Sequence, residues 1–365
     1  MHERPFFSIC IPCYNHGTYI GQTIQSVLDQ DFEDFEIVVA DNASPDHSRE
    51  VVKGFKDPRI RLIENRYNIG FAPNLQQVTR HARGRFFNLL SSDDLMNAGA
   101  LATYADLIEQ HPESLDRLVL MSQAWRIDGE GGVQGYIARD DGFGPMRAQL
   151  PSRAQIEAQE RAEVYAGFDL FTAAMKHLDT VGQFCTVTYS RALWERVEGY
   201  NSTQLINPDM HFIVKVLRQD PLVLFVNRPL YSYRVHERGQ GAQQARARVL
   251  KFQIDQYNYL MHFDEAWLQG TGVTRRDQQT LFVRRDCLKR AGVALADGQW
   301  VYAMRLLAFA WATYPGVTAR QGISWALAAL LATGPLGVGV ARLVRALRRK
   351  DVLSFEDAVQ QIRKA

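Results

Sequence analysis

The sequence predicts an α/β fold, a mostly parallel sheet flanked by helices, followed by an α-helical C-terminal region. From Phe7 to Leu90, short apolar runs alternate with stretches of helical spacing, the pattern of right-handed crossovers between parallel strands. From about Arg246 onward the apolar spacing is helical only. A third observation directs the search for function. Each strand of the first part is followed by a polar cluster, and open sheets of this kind bind ligands beyond the carboxyl ends of their strands.

The elements follow in order. Phe7 to Ile11 reads as a buried strand, and Tyr19 to Gln30 as a helix on the spacing of Ile20, Ile24, Val27 and Leu28. Glu36 to Ala40 is a second strand, Asp46 to Phe55 a short helix, and Ile60 to Glu64 a third strand. Asn74 caps a helix running to Ala82, and Arg85 to Leu90 is the fourth strand. The strand ends carry PCYNHG (12–17), DNAS (41–44), NRYNIGFAPN (65–74) and SSDD (91–94). The first of these lacks GxGxxG, so a dinucleotide fold would have no phosphate cradle. Residues 117–167 are less regular, with turn-rich runs at 129–135 and 140–145. Gln183 to Asn201 gives a strand and a short helix. Asn207 then caps a helix with Pro208 in its first position, which puts Asp209 in the first turn. Leu222 to Gly241 reads as a strand, a turn and a second short strand ending in YRVH.

The 365 residues suggest two domains, and we place the boundary near 240: residues 1–240 as the chemical domain and 241–365 as a helical region. With 46% hydrophobic and 22% charged residues the chain should bury a sizeable core. Lys and Arg number 42 against 40 acids, a net charge of +2 that gives no case for a nucleic-acid partner. Cys10 and Cys13 form a CxxC with no second pair to complete a zinc site, so they read as ordinary strand residues. Four cysteines and an N-terminus without a long apolar segment predict a cytoplasmic chain.

The stretch FFNLLSSDD poses the chemical question. Two adjacent carboxylates repel, and they need either a helix to cap or a cation to share. Asp41 could be a turn residue, Asp209 a first-turn acid placed only by the helix dipole, His236 a structural histidine and Tyr14 mere packing. The set reads differently as a whole. SICIPCYN, IVVADNAS, NxG at Asn68 and Gly70, LLSSDDL and YSYRVH, in this order over residues 6 to 240, resemble the large family 2 of inverting glycosyltransferases, which have the GT-A fold.

The resemblance implies transfer of a sugar from a nucleotide-diphosphate donor, most often a UDP-sugar, to an acceptor hydroxyl, with Mn2+ or Mg2+. It implies that Pro12, Tyr14 and Asn15 line the nucleotide with Asn68 and Ser92, that Asp41 accepts from the base, and that Asp94 lies near the donor sugar. Asp93 would bind the metal with a late contact from His236, and Asp209 would be the catalytic base. Ser91 stands where the family often has the first acid of Asp-x-Asp-Asp, and serine is a poorer cation ligand. A sugar nucleotidyltransferase would want a Gly-rich loop with a basic residue after strand one, which PCYNHG does not supply. A non-catalytic nucleotide-sugar-binding scaffold stays open because of Ser91.

In the C-terminal region, Cys287 to Pro315 reads as two antiparallel helices turned at Asp297-Gly298. Residues 321–341 are uncharged but interrupted by Gly334-Pro335, and Arg342, Arg345, Arg348, Arg349 and Lys350 follow. We favour an interfacial pair of helices touching the inner face of the cell membrane through 321–350. A helical cap on the chemical domain and a true span are the alternatives. A membrane-proximal enzyme would suit a glycan or lipid-linked acceptor in cell-envelope polysaccharide or glycolipid assembly.

Overall fold

The computed structural model describes residues 4–137, 162–178, 181, 184–201, 208–236 and 250–348. They fall into two compact units, residues 1–174 with 179–237 and residues 175–178 with 238–365. Asn207, the turn-rich run 140–145, Arg349 and Lys350 lie outside the described residues, as do the side chains of Arg345 and Arg348.

The first unit is built on one sheet. Strands β1 (Phe7–Cys13), β2 (Phe35–Asp41), β3 (Ile60–Glu64) and β4 (Phe86–Leu89) stand in the order β3-β2-β1-β4, all parallel. β1 and β2 are buried along their whole length, as parallel strands covered on both faces must be, and this is why their sequences are continuous apolar runs. Cys13 pairs with Asp41, so the two strands end level and their polar loops emerge side by side. Helices α1 (Ile20–Leu28), α2 (Ser48–Gly54), α3 (Phe71–Arg80) and α4 (Ala100–Glu109) supply the connections. The apolar stripe of α1 (Ile20, Ile24, Val27) joins Phe7, Ile9 and Ile11 in the core, and truncating Ile24 to Ala would cost about 2–5 kcal/mol.

Beyond β4 the sheet is mixed rather than mostly parallel. After β5 (Leu95–Met96) come β6 (Leu118–Ile127), β7 (Val133–Ile137) and β8 (Ala162–Ala166), then helix α5 (Gly167–His177) and β9 (Thr188–Ser190). Helices α6 (Arg191–Arg196) and α7 (Pro208–Leu217) precede β10 (Leu222–Arg234). β9 runs antiparallel between β4 and β6, β10 runs parallel to β6, and β5 closes the edge antiparallel to β10. The alternation of strand and helix that signals parallel crossovers ends at residue 90, and so does the purely parallel pairing.

Two element expectations are corrected. α3 begins at Phe71, with Gly70 as its cap residue at φ 90°, a left-handed conformation that explains the glycine of NxG. Asn74 is therefore not a cap. It lies buried in the second turn, where its amide donates to the Ala40 carbonyl and accepts from Asn65. The second correction concerns residues 222–234, which form one strand instead of two. The pairing with β6 slips between Val226 and Tyr231, and the irregularity holds Pro229, which has no N–H to give a ladder.

The second unit is helical: α8 (Lys251–His262), α9 (Glu265–Leu268), α10 (Arg275–Leu281) leading into a π-helical stretch Phe282–Lys289, α11 (Arg290–Ala296), α12 (Trp300–Thr313), α13 (Pro315–Ala319), α14 (Gly322–Ala332) and α15 (Pro335–Arg348). The hairpin turned at Asp297-Gly298 is present as α11 and α12, with Gly298 at φ 76°. Residues 321–341 are two helices broken at Thr333-Gly334, and no described helix is long and apolar enough to cross a membrane. Arg342 is committed within its own unit, since its Nε donates to the Ala296 carbonyl at the end of α11.

Candidate active site

The chain leaves β4 at Leu89 and, instead of turning back, runs along the top of the sheet to pair with β10 as β5. Ser91, Ser92, Asp93 and Asp94 are that crossing segment. It carries them from the end of β4 to the end of β10, where Arg234 and His236 wait. Sequence-distant groups therefore meet. His236 Nε2 lies 3.0 Å from Asp93 Oδ2, and His16 Nδ1 lies 4.0 Å from Asp93 Oδ1. The candidate donor atoms of His16, Asp93 and His236 all lie within 4.8 Å of one another. The two imidazole rings stand 5.8 Å apart, with Tyr19 4.7 Å from His236.

The two adjacent acids have opposite fates. Asp93 is partly open and faces the histidines, with its side chain 15% exposed. Asp94 turns inward at 1% exposure, where its Oδ1 accepts the Arg234 backbone N–H at 2.8 Å. Burial, and then the Asp93 charge, push the Asp94 carboxyl well above the usual carboxylate range. The Cys185 thiol beside it is raised too, by burial first and Asp94 second. Asp94 thus anchors the crossing segment to β10. Ser92 is also buried, and its Oγ meets His16 Nδ1 at 2.7 Å, so it serves the histidine before any donor. Burial lowers His16 below its ordinary 6.5 against the raising pull of Asp93, a shift that favours the neutral ring, in which one nitrogen keeps a free lone pair.

The loop after β1 is held from below. Asn15 N–H donates to Ser44 Oγ, His16 N–H to Ser48 Oγ and Gly17 N–H to Asp46 Oδ2. Asn15 and Ala43 both take left-handed backbone, at φ 59° and 57°, one in each of the two neighbouring loops. Tyr14 is 46% exposed, a free aromatic face at this edge, whereas Pro12 is buried inside β1.

Asp41 is buried at the end of β2. Its Oδ2 accepts the Ser44 N–H and stands 3.6 Å from Arg49 Nε, while its Oδ1 has no hydrogen-bond partner. An unpaired buried carboxylate oxygen is costly, and a base N–H would satisfy it. Asn68 is exposed, and its Oδ1 accepts from Asn42 and from the Gly70 N–H, which shapes the third loop.

Asp209 opens α7 as expected and is partly exposed. It belongs to a neighbourhood of aromatic rings, close enough to raise Tyr200, whose pKa is pushed up first by burial and then by Tyr189. Tyr200 stacks on Phe212 at 4.1 Å and meets the Tyr189 hydroxyl at 3.2 Å. Asp209 is not a member of the His16–Asp93–His236 group.

Three contributors were missed from sequence. His16 is one, although it sits inside the quoted PCYNHG. Arg234 is the second. It is 3% exposed, donates Nε to the Asp93 carbonyl, Nη1 to the Asp128 and Gly129 carbonyls and Nη2 to Gln22 Oε1, and lies over the Tyr19 ring. Asn42 is the third, joining the second and third loops through Asn65, Asn68 and Ile69. The signal for all three was their place in strand-end motifs, but residue type alone does not tell a clasp from a turn.

Residues 8–130 match the family model Glycosyl transferase family 2. An uncharacterized glycosyltransferase of Haemophilus influenzae is 24% identical over 253 residues, covering 62% of this chain and 76% of that protein. The Escherichia coli UDP-Glc:alpha-D-GlcNAc-diphosphoundecaprenol beta-1,3-glucosyltransferase WfgD is 39% identical over 94 residues, which are 26% of this chain and 37% of that enzyme. The chain therefore spans only about a third of that relative's length. Among solved structures, Staphylococcus aureus TarS 1–349 in complex with UDP-GlcNAc superposes with a TM-score of 0.56 at 17% identity, covering 95% of this chain and 93% of that one. That likeness shows a shared fold, GT-A.

Proposed function

From the match of residues 8–130 to the glycosyl transferase family 2 model, we propose that the chain is an inverting, metal-assisted glycosyltransferase that moves a sugar from a nucleotide-diphosphate donor, a UDP-sugar, to an acceptor hydroxyl. The observation that carries the reading is the meeting of Asp93 and His236 at 3.0 Å on the strand-end edge, across 143 residues of sequence. A carboxylate and an imidazole turned toward one space fit a divalent cation. Bound there, the cation would supply Lewis-acid stabilisation of the charge that develops on the leaving diphosphate.

The chain's own residues do the rest. Tyr14 offers its open face to the base, and the unpaired Oδ1 of Asp41 accepts a base N–H. Asn15 and Asn68 form the rims of the nucleotide cleft. Asp209 removes the acceptor proton as that hydroxyl attacks the anomeric carbon opposite the nucleotide, so the centre inverts. A general base of this kind contributes about 10²–10⁴-fold.

The acceptor we infer is a lipid-linked glycan of cell-envelope polysaccharide or glycolipid assembly; the name of the WfgD relative gives a diphosphoundecaprenol-linked GlcNAc. In α15, Leu336, Val340 and Leu343 are all exposed at helical spacing, a stripe that supports peripheral membrane contact. The reading is tested with a panel of nucleotide sugars, measuring donor turnover with and without Mn2+. Asp93→Ala should remove the metal-dependent turnover. Asp209→Asn should remove transfer while leaving UDP affinity nearly unchanged. A large loss of affinity in Asp209→Asn would take that residue out of the base role, and absence of turnover with every donor would favour a binding scaffold.

A further inference from the structure

Ser91 raises a difficulty for the proposed metal site. A lone carboxylate with a histidine holds a divalent ion weakly until phosphates arrive, and serine adds no charge. The fold supplies another donor from a different strand. His16 follows β1, which is the neighbour of β4 in the sheet, and its ring enters the same space as Asp93 and His236.

We propose that His16 is a third protein ligand, and that this two-imidazole, one-carboxylate set binds a first-row transition ion in preference to Mg2+ and before the nucleotide arrives. The proposal rests on the metal-assisted reading above and changes what that reading expects of the ion.

Geometry permits it. Donor atoms bonded to one ion at about 2.1 Å cannot lie more than about 4.2 Å apart. The three groups already lie within 4.8 Å, so side-chain adjustments of well under 1 Å close the set. The loop that carries His16 is tied by the Ser48 and Asp46 contacts of its own and the next N–H. It is also close-packed, because a Cβ on Gly17 would meet the His47 ring at 2.9 Å. Ser92 Oγ can turn its proton away when His16 Nδ1 gives its lone pair to a cation.

The chemistry then sets selectivity. Mg2+ favours oxygen ligands and sheds water reluctantly, whereas imidazole suits the later first-row ions, whose affinity rises from Mn2+ through Fe2+ to Co2+. Replacing an acid of the usual motif by serine while adding an imidazole moves the site in that direction. Positions not taken by protein remain for diphosphate oxygens.

The test uses the full chain stripped of metal, with no nucleotide present. Co2+ binding is followed by calorimetry and by the visible absorption of the bound ion, with Mg2+ as competitor. The expected result is saturable Co2+ binding that resists about a hundredfold excess of Mg2+. His16→Ala should weaken Co2+ by at least about 10-fold, since even outer-shell changes cost 10–100-fold, and should alter the spectrum. His16→Asp should keep the site but shift its preference toward Mg2+. If His16→Ala and His16→Asp, both folded by circular dichroism, leave Co2+ affinity and spectrum unchanged while Asp93→Asn abolishes binding, His16 is not a ligand and the inference is overturned, though the metal reading survives. If Asp93→Asn also binds as before, the metal reading itself fails.

Discussion

Arg234 is the residue whose removal should be felt furthest. Its guanidinium joins three separate segments: the Asp93 carbonyl at 2.7 Å, the Asp128 and Gly129 carbonyls at 3.2 and 3.0 Å, and Gln22 of α1 at 2.9 Å. Arg234→Met would leave the Asp93 carbonyl without its charged donor, a loss of about 2 kcal/mol. Water can replace the arginine at the Asp128–Gly129 turn, which lowers that part of the cost. The stack on Tyr19 adds about 0.5–1 kcal/mol. The expected destabilisation of the first unit is roughly 3 kcal/mol. Arg234→Lys has one point of charge for acceptors spread over a fork, and should lose roughly half as much. Urea unfolding followed by circular dichroism measures both, as a shift of midpoint at constant slope. The same variants should lower Co2+ affinity, because the Asp93 backbone is no longer clasped. A loss below about 1 kcal/mol in Arg234→Met, with metal affinity unaltered, would refute the clasp.

Two further outcomes concern other parts of the chain. Lys215 on α7 is 8% exposed and donates to the Val197 and Gly199 carbonyls and to Asn201 Oδ1, while burial lowers its pKa from the ordinary 10.5 to about 8. Between those values the unfolded chain holds the proton and the native chain has lost it, so this group makes stability rise with pH, by up to roughly 1.4 kcal/mol per pH unit. Lys215→Met should flatten that rise between pH 8 and 10.5 relative to wild type, and an identical slope in the two proteins would contradict it. For membrane contact, Leu336→Glu with Leu343→Glu should weaken sedimentation with anionic vesicles by about 10²-fold or more, at about 1.5–3 kcal/mol per buried leucine. Equal binding of the double variant would remove α15 as the contact.

Much of the parallel half of the sheet was legible because parallel strands are buried on both faces and must be written as unbroken apolar runs. Asp93 and His236 were legible through their order in the chain. The rest was not, for physical reasons. Whether an asparagine caps a helix or ties two loops depends on where neighbouring carbonyls lie, and so Asn74 was misread. The two acids of SSDD look identical in sequence, yet the backbone turns one to the cleft and the other to the Arg234 N–H. His16 has no apolar period to betray it, and its meaning depends on β1 standing next to β4. The turn expected within residues 222–241 is instead a register slip around Pro229, absorbed by the partner strand.

The adjacent carboxylates need not be explained as a matched pair. Two ionised acids side by side would repel strongly once one of them is removed from water, and the fold avoids that by separating their surroundings. Asp94 is taken into the interior, given one backbone N–H and a thiol neighbour, and pushed toward its neutral form. Asp93 is then the single outward charge of the segment, flanked by His16 and His236. Its position is fixed from behind, because the residue that holds its carbonyl, Arg234, also donates the N–H that holds Asp94. One residue of β10 thus fixes both acids in their opposite orientations, and the crossing segment cannot slide along the sheet without breaking both bonds at once. A site built this way keeps its carboxylate in place before any donor binds, which is what an ion held ahead of the nucleotide requires.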